Sequence, residues 1–276
     1  MTHGFSAIQA DRWIYRHAAI VRIAHWINLL CLTFLLMSGL QIFNAHPALY
    51  LGEQSSFGRP VLSMTAELQG NGFAGITTIL GHRLNTTGML GVSKLGGQDV
   101  VRAFPSWATV PSGQDLATAR RWHFFFAWLF VLNGLVYLGY GLASGHVRRD
   151  LLPSFSGLCR IGKSLVDHIR LRFPRGDEAR RYNVLQQLTY LLVIFLLLPV
   201  IVLAGLAMSP GLDALFHWLP DLFGGRQGAR TVHFIAAFAI VLFVLVHVAM
   251  VILSGAFNNI RSMITGDYNL AKETEI

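Results

Sequence analysis

T-V-H-F-I-A-A-F-A-I-V-L-F-V-L-V-H-V-A-M-V-I-L-S-G, residues 231–255, decides how this chain folds. The stretch contains no Asp, Glu, Lys or Arg and is long enough to cross a hydrocarbon layer as a helix, the form in which one segment satisfies its own backbone polar groups. Two histidines interrupt it, His233 and His247. Fourteen helical residues turn through about 1400°, roughly 40° short of four turns, and rise about 21 Å, so both imidazoles leave one face near opposite edges of the layer. For either histidine alone, a hydrogen bond to a neighbouring helix is the plain alternative. Two in register mark functional groups, because an ionisable side chain inside a span is costly unless it is partnered.

Working outward, three more uncharged windows are long enough to span: residues 23–43, 122–144 and 188–208. The 276 residues are 53% hydrophobic and only 13% charged, against about 25% charged in soluble domains, and the mean hydropathy is +0.50. These observations predict an all-α integral membrane four-helix bundle, one domain over residues 1–276, with a long ordered loop at 44–121. That loop's Gly, Pro and Trp content, in G-H-R-L-N-T-T-G-M-L-G-V-S (81–93) and F-P-S-W-A-T-V-P-S (104–112), suits an ordered surface loop and not a disordered one.

Basic residues set the expected orientation. The loop at 145–187 holds nine (Arg148, Arg149, Arg160, Lys163, Arg170, Arg172, Arg175, Arg180, Arg181) and the stretch at 209–230 only two, which puts the former in the cytoplasm. Both termini are then cytoplasmic, and 44–121 lies outside. Arg12, Arg16 and Arg22 precede the first span and no small-residue cleavage site follows it, so an anchor is expected and not a removed signal. The net charge of +8 is accounted for by anionic lipid headgroups, with no need of nucleic acid.

Two cysteines, Cys31 and Cys159, belong to no C-x-x-C or C-x-x-C-H pattern, which excludes covalent c-type haem and iron–sulfur ligation; no disulfide is expected. Walker-type, dinucleotide-binding and H-E-x-x-H signatures are absent as well.

Two more histidines stand at span starts: His25 in R-I-A-H-W and His123 in R-R-W-H-F. With the first helix running outward and the second and fourth inward, His25 reaches the depth of His247, and His123 that of His233. Each level then has two neutral imidazoles, the ligand set of a six-coordinate b-type haem devoted to electron transfer, so two haem b groups are expected and no catalytic residue. Gly39, fourteen residues after His25, shares its face at the outer level, where a missing side chain lets a porphyrin approach the backbone. Gly134, Gly139 and Gly141 offer the same at the inner level, with ordinary helix packing as the alternative. Arg22 inside, and Arg120 or Arg121 outside, are placed either to hold haem propionates or to anchor the interfaces. His3, His17, His46, His82, His146, His168 and His217 show no metal-site spacing. The third span carries no histidine and reads as a bundle wall kinked at Pro199; residues 211–223 read as an interfacial helix.

R-x-x-H-W at 22–26, S-G at 38–39, R-R-x-H at 120–123 and H-x13-H at 233–247 together resemble the bacterial cytochrome b561 and nickel-hydrogenase type of membrane subunit, over nearly the full length. That family includes cytochrome b subunits of formate dehydrogenase, hydrogenase and thiosulfate reductase. The resemblance implies two b haems at the same histidine pairs, with electrons passing between a quinone in the bilayer and a peripheral redox subunit. The long outer loop departs from compact members and is similar to the subgroup that serves external molybdopterin oxidoreductases of the sulfite-oxidase type.

The expected function is therefore that of an electron-transfer subunit of a membrane oxidoreductase, with quinone as substrate near the inner haem and a periplasmic molybdopterin oxidoreductase or other redox subunit as partner. Two rivals are a stand-alone quinol oxidoreductase serving a small diffusible oxidant and a histidine-lined metal or proton transporter. The absence of carboxylates in the spans weighs against the transporter.

Overall fold

The structure, a computed structural model, describes residues 13–70, 72–159, 161–170 and 183–270. Arg12, Arg160, Arg172, Arg175, Arg180 and Arg181, which enter the orientation argument, lie outside the described residues, as does His3.

In chain order the elements begin with β1 (Trp13–Tyr15) and α1 (Ala19–Ala45), followed by strands β2 (Ala48–Leu49), β3 (Leu62–Gln69), β4 (Gly72–Ile79), β5 (His82–Asn85), β6 (Val92–Leu95) and β7 (Gln98–Val101). Next come α2 (Leu116–Ala143), a π-turn at Val147–Leu151, α3 (Phe155–Leu158), α4 (Ile161–Ile169), α5 (Val184–Leu192), a second π-turn at Val193–Leu197, and α6 (Leu198–Ala207). The chain continues through α7 (Pro210–Asp213), α8 (Trp218–Asp221), α9 (Arg226–Leu253) and α10 (Ala256–Thr265) to β8 (Asp267–Asn269).

Four helical stretches are long and apolar enough to cross a membrane: Ala19–Ala45, Leu116–Ala143, Val184–Ala207 and Arg226–Leu253. Each contains one of the hydropathy windows, short of a residue or two at some C-terminal ends, and starts one to two turns before it. At 1.5 Å per residue the longest cover about 42 Å, more than the roughly 30 Å hydrocarbon layer, so their polar first turns fall outside it. Leu29, Leu30, Phe124, Phe125, Trp128, Leu132, Leu242 and Leu245 stand exposed on these helices, a surface suited to lipid and not to water. The chain is a multi-pass membrane protein. Within the third stretch the π-turn at Val193–Leu197 ends two residues before Pro199, the residue that cannot donate to the helical ladder.

The all-α expectation is corrected by the loop at 44–121, which is ordered but folds as β-structure. Strands β2 to β5 form a four-stranded antiparallel sheet and β6 pairs with β7. The physical cause is visible in β3, L-S-M-T-A-E-L-Q, whose apolar and polar residues alternate with the two-residue period of a strand. Two-residue turns at Leu80–Gly81 and Gly96–Gly97, all with positive φ, close hairpins with the twist that strands favour. Residues 211–223 likewise form no single interfacial helix; two one-turn helices, α7 and α8, occupy that stretch.

The chain divides into two compact units. The loop unit comprises Ile27–Asn133 and Leu197–Ala239. In it Phe34 stacks on Trp122 and Phe126 over the buried Cys31, and Asn133 donates to Asn28 at 2.8 Å. The loop is tied to the end of α1 through Arg102, which is 3% exposed. Its guanidinium donates to the carbonyls of Phe104 (2.7 Å) and Ser112 (2.9 Å), to Gln41 (3.2 Å) and to the Thr109 hydroxyl (2.9 Å). Burial pulls the pKa of that guanidinium below its ordinary value, so these bonds take the place of a counter-ion. Phe43, Leu49, Met64, Ala103 and Phe104 form the core beneath.

The termini unit comprises Met1–Trp26, Gly134–Leu196 and Ile240–Ile276. Here β1 pairs antiparallel with β8, Ile14 opposite the buried Tyr268. Arg16 covers the Tyr268 ring at 4.4 Å, and Trp26 donates to the Met263 carbonyl at 2.9 Å. Strands β1 and β8 thus clasp each other beside the first turns of α1.

Candidate functional site

In the loop unit His123 of α2 faces His233 of α9 with ring centres 6.2 Å apart and planes at 61°. Both rings are oriented from behind. The Ser38 hydroxyl gives its one proton to the Phe34 carbonyl at 2.6 Å, so at 3.0 Å from His123 Nδ1 it accepts an N–H. His233 Nδ1 faces the Ile201 carbonyl at 2.8 Å, and a carbonyl can only accept. Both imidazoles therefore carry hydrogen on Nδ1 and a lone pair on Nε2, the arrangement in which a second group fixes the tautomer of a metal-binding histidine.

In the termini unit His25 of α1 faces His247 of α9 with the same geometry, 6.2 Å and 61°. Trp26 lies edge-on to His25, and Phe243 stacks on His247. The structure thus brings together both histidine pairs that the depth argument matched, and α9 carries one member of each on a single uninterrupted helix.

Two glycines let helices approach the first pair. A Cβ on Gly39 would stand 3.4 Å from His123 Cε1, and one on Gly205 only 3.2 Å from His233 Cε1. Gly39 was legible from its fourteen-residue offset to His25; Gly205 was not, because the third span holds no histidine to measure from. Around Gly134 and Gly139 a Cβ would meet no atom within 4 Å, while one on Gly141 would press on Val147 at 3.0 Å.

The arginines sort by helical offset. Arg22, three residues before His25, shares its face; its guanidinium donates to the Ile264 carbonyl, and its Nε is buried with no hydrogen-bond partner among the described residues. Arg121, two residues before His123, is exposed and about 200° around the helix from it, so the structure does not bring it to the pair. Arg120 is exposed over the Phe124 ring. Arg230, three before His233, sits over Phe43 and donates to the His46 carbonyl. It repeats the R-x-x-H spacing of residues 22–25 and 120–123, a signal that the sequence reading passed over.

The prokaryotic cytochrome b561 family matches residues 16–266. The chain belongs to that family. Among curated proteins, one from Azospira oryzae that carries the name protein-methionine-sulfoxide reductase subunit YedZ1 is 40% identical over 141 residues, 51% of this chain and 68% of that protein. No solved structure matches.

Prokaryotic cytochromes b561 bind haem b, and the histidine pairs of this cytochrome fit that group. With metal–imidazole bonds of about 2 Å and roughly one further ångström from nitrogen to ring centre, two rings on opposite sides of one iron sit on the order of 6 Å apart. Edge-to-face aromatic packing spans similar distances, but does not require Nδ1 to be tied back with Nε2 left as an acceptor, as at His123 and His233. Among the described residues no group of three or more His, Cys, Asp and Glu forms a site for a free metal ion. The unpartnered Nε of Arg22 suits an acidic group beside His25, as a propionate is.

Proposed function

We propose that this cytochrome carries electrons across a bacterial inner membrane through two haem b groups, one held by His25 and His247 and the other by His123 and His233, with Arg22 and Arg230 toward their propionates. The observation that carries the reading is the recurrence of one pair geometry, 6.2 Å and 61°, at two places on the same helix. Haem b held there would supply one-electron transfer. The protein's residues fix the imidazoles and surround them with apolar side chains.

Electrons enter from a quinol in the bilayer and leave to a redox partner at the β-folded loop. The basic loop at 145–187 and both termini face the cytoplasm, and the β-folded loop faces the periplasm. The name of the Azospira relative, a subunit of a protein-methionine-sulfoxide reductase, supports a partner that consumes electrons, and hence outward flow from quinol. A molybdopterin oxidoreductase is the partner that the long outer loop suggested by resemblance. The ordered sheet of 44–121 favours a protein partner over a small diffusible oxidant.

The test is anaerobic mixing of purified protein with a short-chain quinol while the haem α-bands are followed. Reduction of both haems, the second following the first, is the expected result. A coloured protein that dithionite reduces and quinol does not would end the quinol reading. A colourless protein would end the cytochrome reading and promote the transporter.

A further inference from the structure

A cavity of about 370 Å³ lies in the termini unit, at the start of the helix that carries His25. Its walls come from β1 and the Arg16–Ala18 segment that follows it, Val21 in the first turn of α1, Tyr140 of α2, and the turn after α2 with Gln187 of α5 closing it. The volume is that of a site for a small ring compound.

Its position relates to the His25–His247 pair. Ala18, Val21 and His25 are spaced three and four residues apart, which puts them on one stripe of helix, and Val21 to His25 is a rise of about 6 Å. A ring in the cavity therefore lies one to two helical turns from an imidazole of the inner pair.

Its chemistry is acid–base. His146 Nδ1 lies 2.7 Å from Asp150 Oδ2, with the two side chains 15% and 35% exposed. A carboxylate on Nδ1 holds the imidazole with Nε2 as the basic nitrogen. Gln187 fixes the turn by donating to the Asp150 carbonyl at 3.0 Å. The groups facing His146 are Asp150 and Arg149 on its own turn, Tyr137 and Tyr140 of α2 at 6.4 and 6.5 Å, and Arg16 and His17 before α1. His17 differs from His146: burial, and then Arg16 beside it, push its pKa down to about 4. His17 lines the same cavity, across from His146.

We infer that this cavity binds the quinol ring, that His146, oriented by Asp150, accepts the quinol's protons, and that His17 holds the ring by a hydrogen bond. The inference rests on the quinol-oxidising reading above and names the site and residues of that step. For each quinol two O–H bonds break and both protons pass in turn to His146 Nε2 and on to water. The two electrons would leave one at a time to haem b held by His25 and His247, which would pass the first on toward the His123–His233 pair before taking the second, and the ring would depart as quinone. Asp150 is a positioning residue, acting through His146.

The experiment measures binding and rate on the same haem-loaded protein. Heptyl-hydroxyquinoline N-oxide, a fluorescent quinol analogue, is titrated by quenching, and quinol-driven haem reduction is timed in wild type, His146→Gln, Asp150→Asn, Asp150→Glu and Val21→Phe. All should keep wild-type dithionite-reduced spectra, which controls for folding. His146→Gln should slow quinol reduction on the order of 100-fold. Val21→Phe, which fills the cavity, should weaken analogue binding about tenfold or more. Asp150→Asn should slow reduction about tenfold and Asp150→Glu should restore it, a rescue that a packing role would not give. Wild-type quinol reduction with His146→Gln and Val21→Phe both at wild-type rate and affinity would overturn the cavity and leave the function standing. No quinol reduction in wild type would remove both.

Discussion

Replacing Gly205 by Ala adds one methyl group to the helix face that meets His233, and the structure fixes what that methyl does. The new Cβ would lie 3.2 Å from His233 Cε1 and 3.4 Å from Nδ1, so the ring must retreat by a few tenths of an ångström. It cannot do so freely, because Nδ1 donates at 2.8 Å to Ile201, one turn earlier on the helix that carries the methyl. Retreat stretches that bond toward the roughly 3.2 Å limit of useful N–H···O geometry, at a cost of about 1 to 3 kcal/mol for a buried donor left poorly paired. Against this stands the usual gain of about 1 kcal/mol for Ala over Gly in a helix. Gly39→Ala is the internal control, since its Cβ meets His123 at 3.4 and 3.7 Å, ordinary contact, and should keep the gain. The two variants should therefore differ by about 2 kcal/mol, roughly 30-fold in the equilibrium for holding haem at the His123–His233 pair. Haem retained per chain during a graded detergent or thermal challenge measures it, with Gly39→Ala at or above wild type and Gly205→Ala below. Equal retention, or the reverse order, would refute the close approach of α6 to His233.

Three further outcomes follow from single contacts. Ser38→Ala removes the acceptor of the His123 Nδ1 proton and should raise the midpoint potential of the outer haem, since a histidine without that bond is a less basic ligand; redox titration reads the shift. Arg102→Gln breaks the ties among Phe104, Thr109, Ser112 and Gln41 and should destabilise the loop by on the order of 3 kcal/mol, seen as faster proteolysis within residues 44–121 while the haem spectrum persists. Gly75→Ala would drive a Cβ to 2.2 Å from the Leu90 carbonyl oxygen and should disrupt the four-stranded sheet, with loss of β signal in circular dichroism.

The sequence made the helices and the histidine pairs legible because both obey one-dimensional rules. A lipid-crossing helix is uniformly apolar, and residues fourteen apart on it share a face, so chain direction alone matched His25 with His247 and His123 with His233. The β-structure was written there too, in the alternation of L-S-M-T-A-E-L-Q and the Gly-Gly between V-S-K-L and Q-D-V-V. Composition marked that loop as ordered without distinguishing a sheet from coil. Gly205 and the Ile201 carbonyl were beyond reach, since what matters there is how closely two helices approach. His146 and Asp150 had a local signature, a four-residue spacing just past a span, but the turn, His17 and Tyr140 become one site only in three dimensions.

The central claim is two haems, each on its own histidine pair, and counting them tests it most directly. A pyridine haemochrome assay per chain, on wild type and on His247→Leu and His233→Leu, should give two b haems in wild type and one in each variant. The haem lost should be a different one in each case by redox titration. One haem or none in wild type, or a variant that keeps both, would contradict the account.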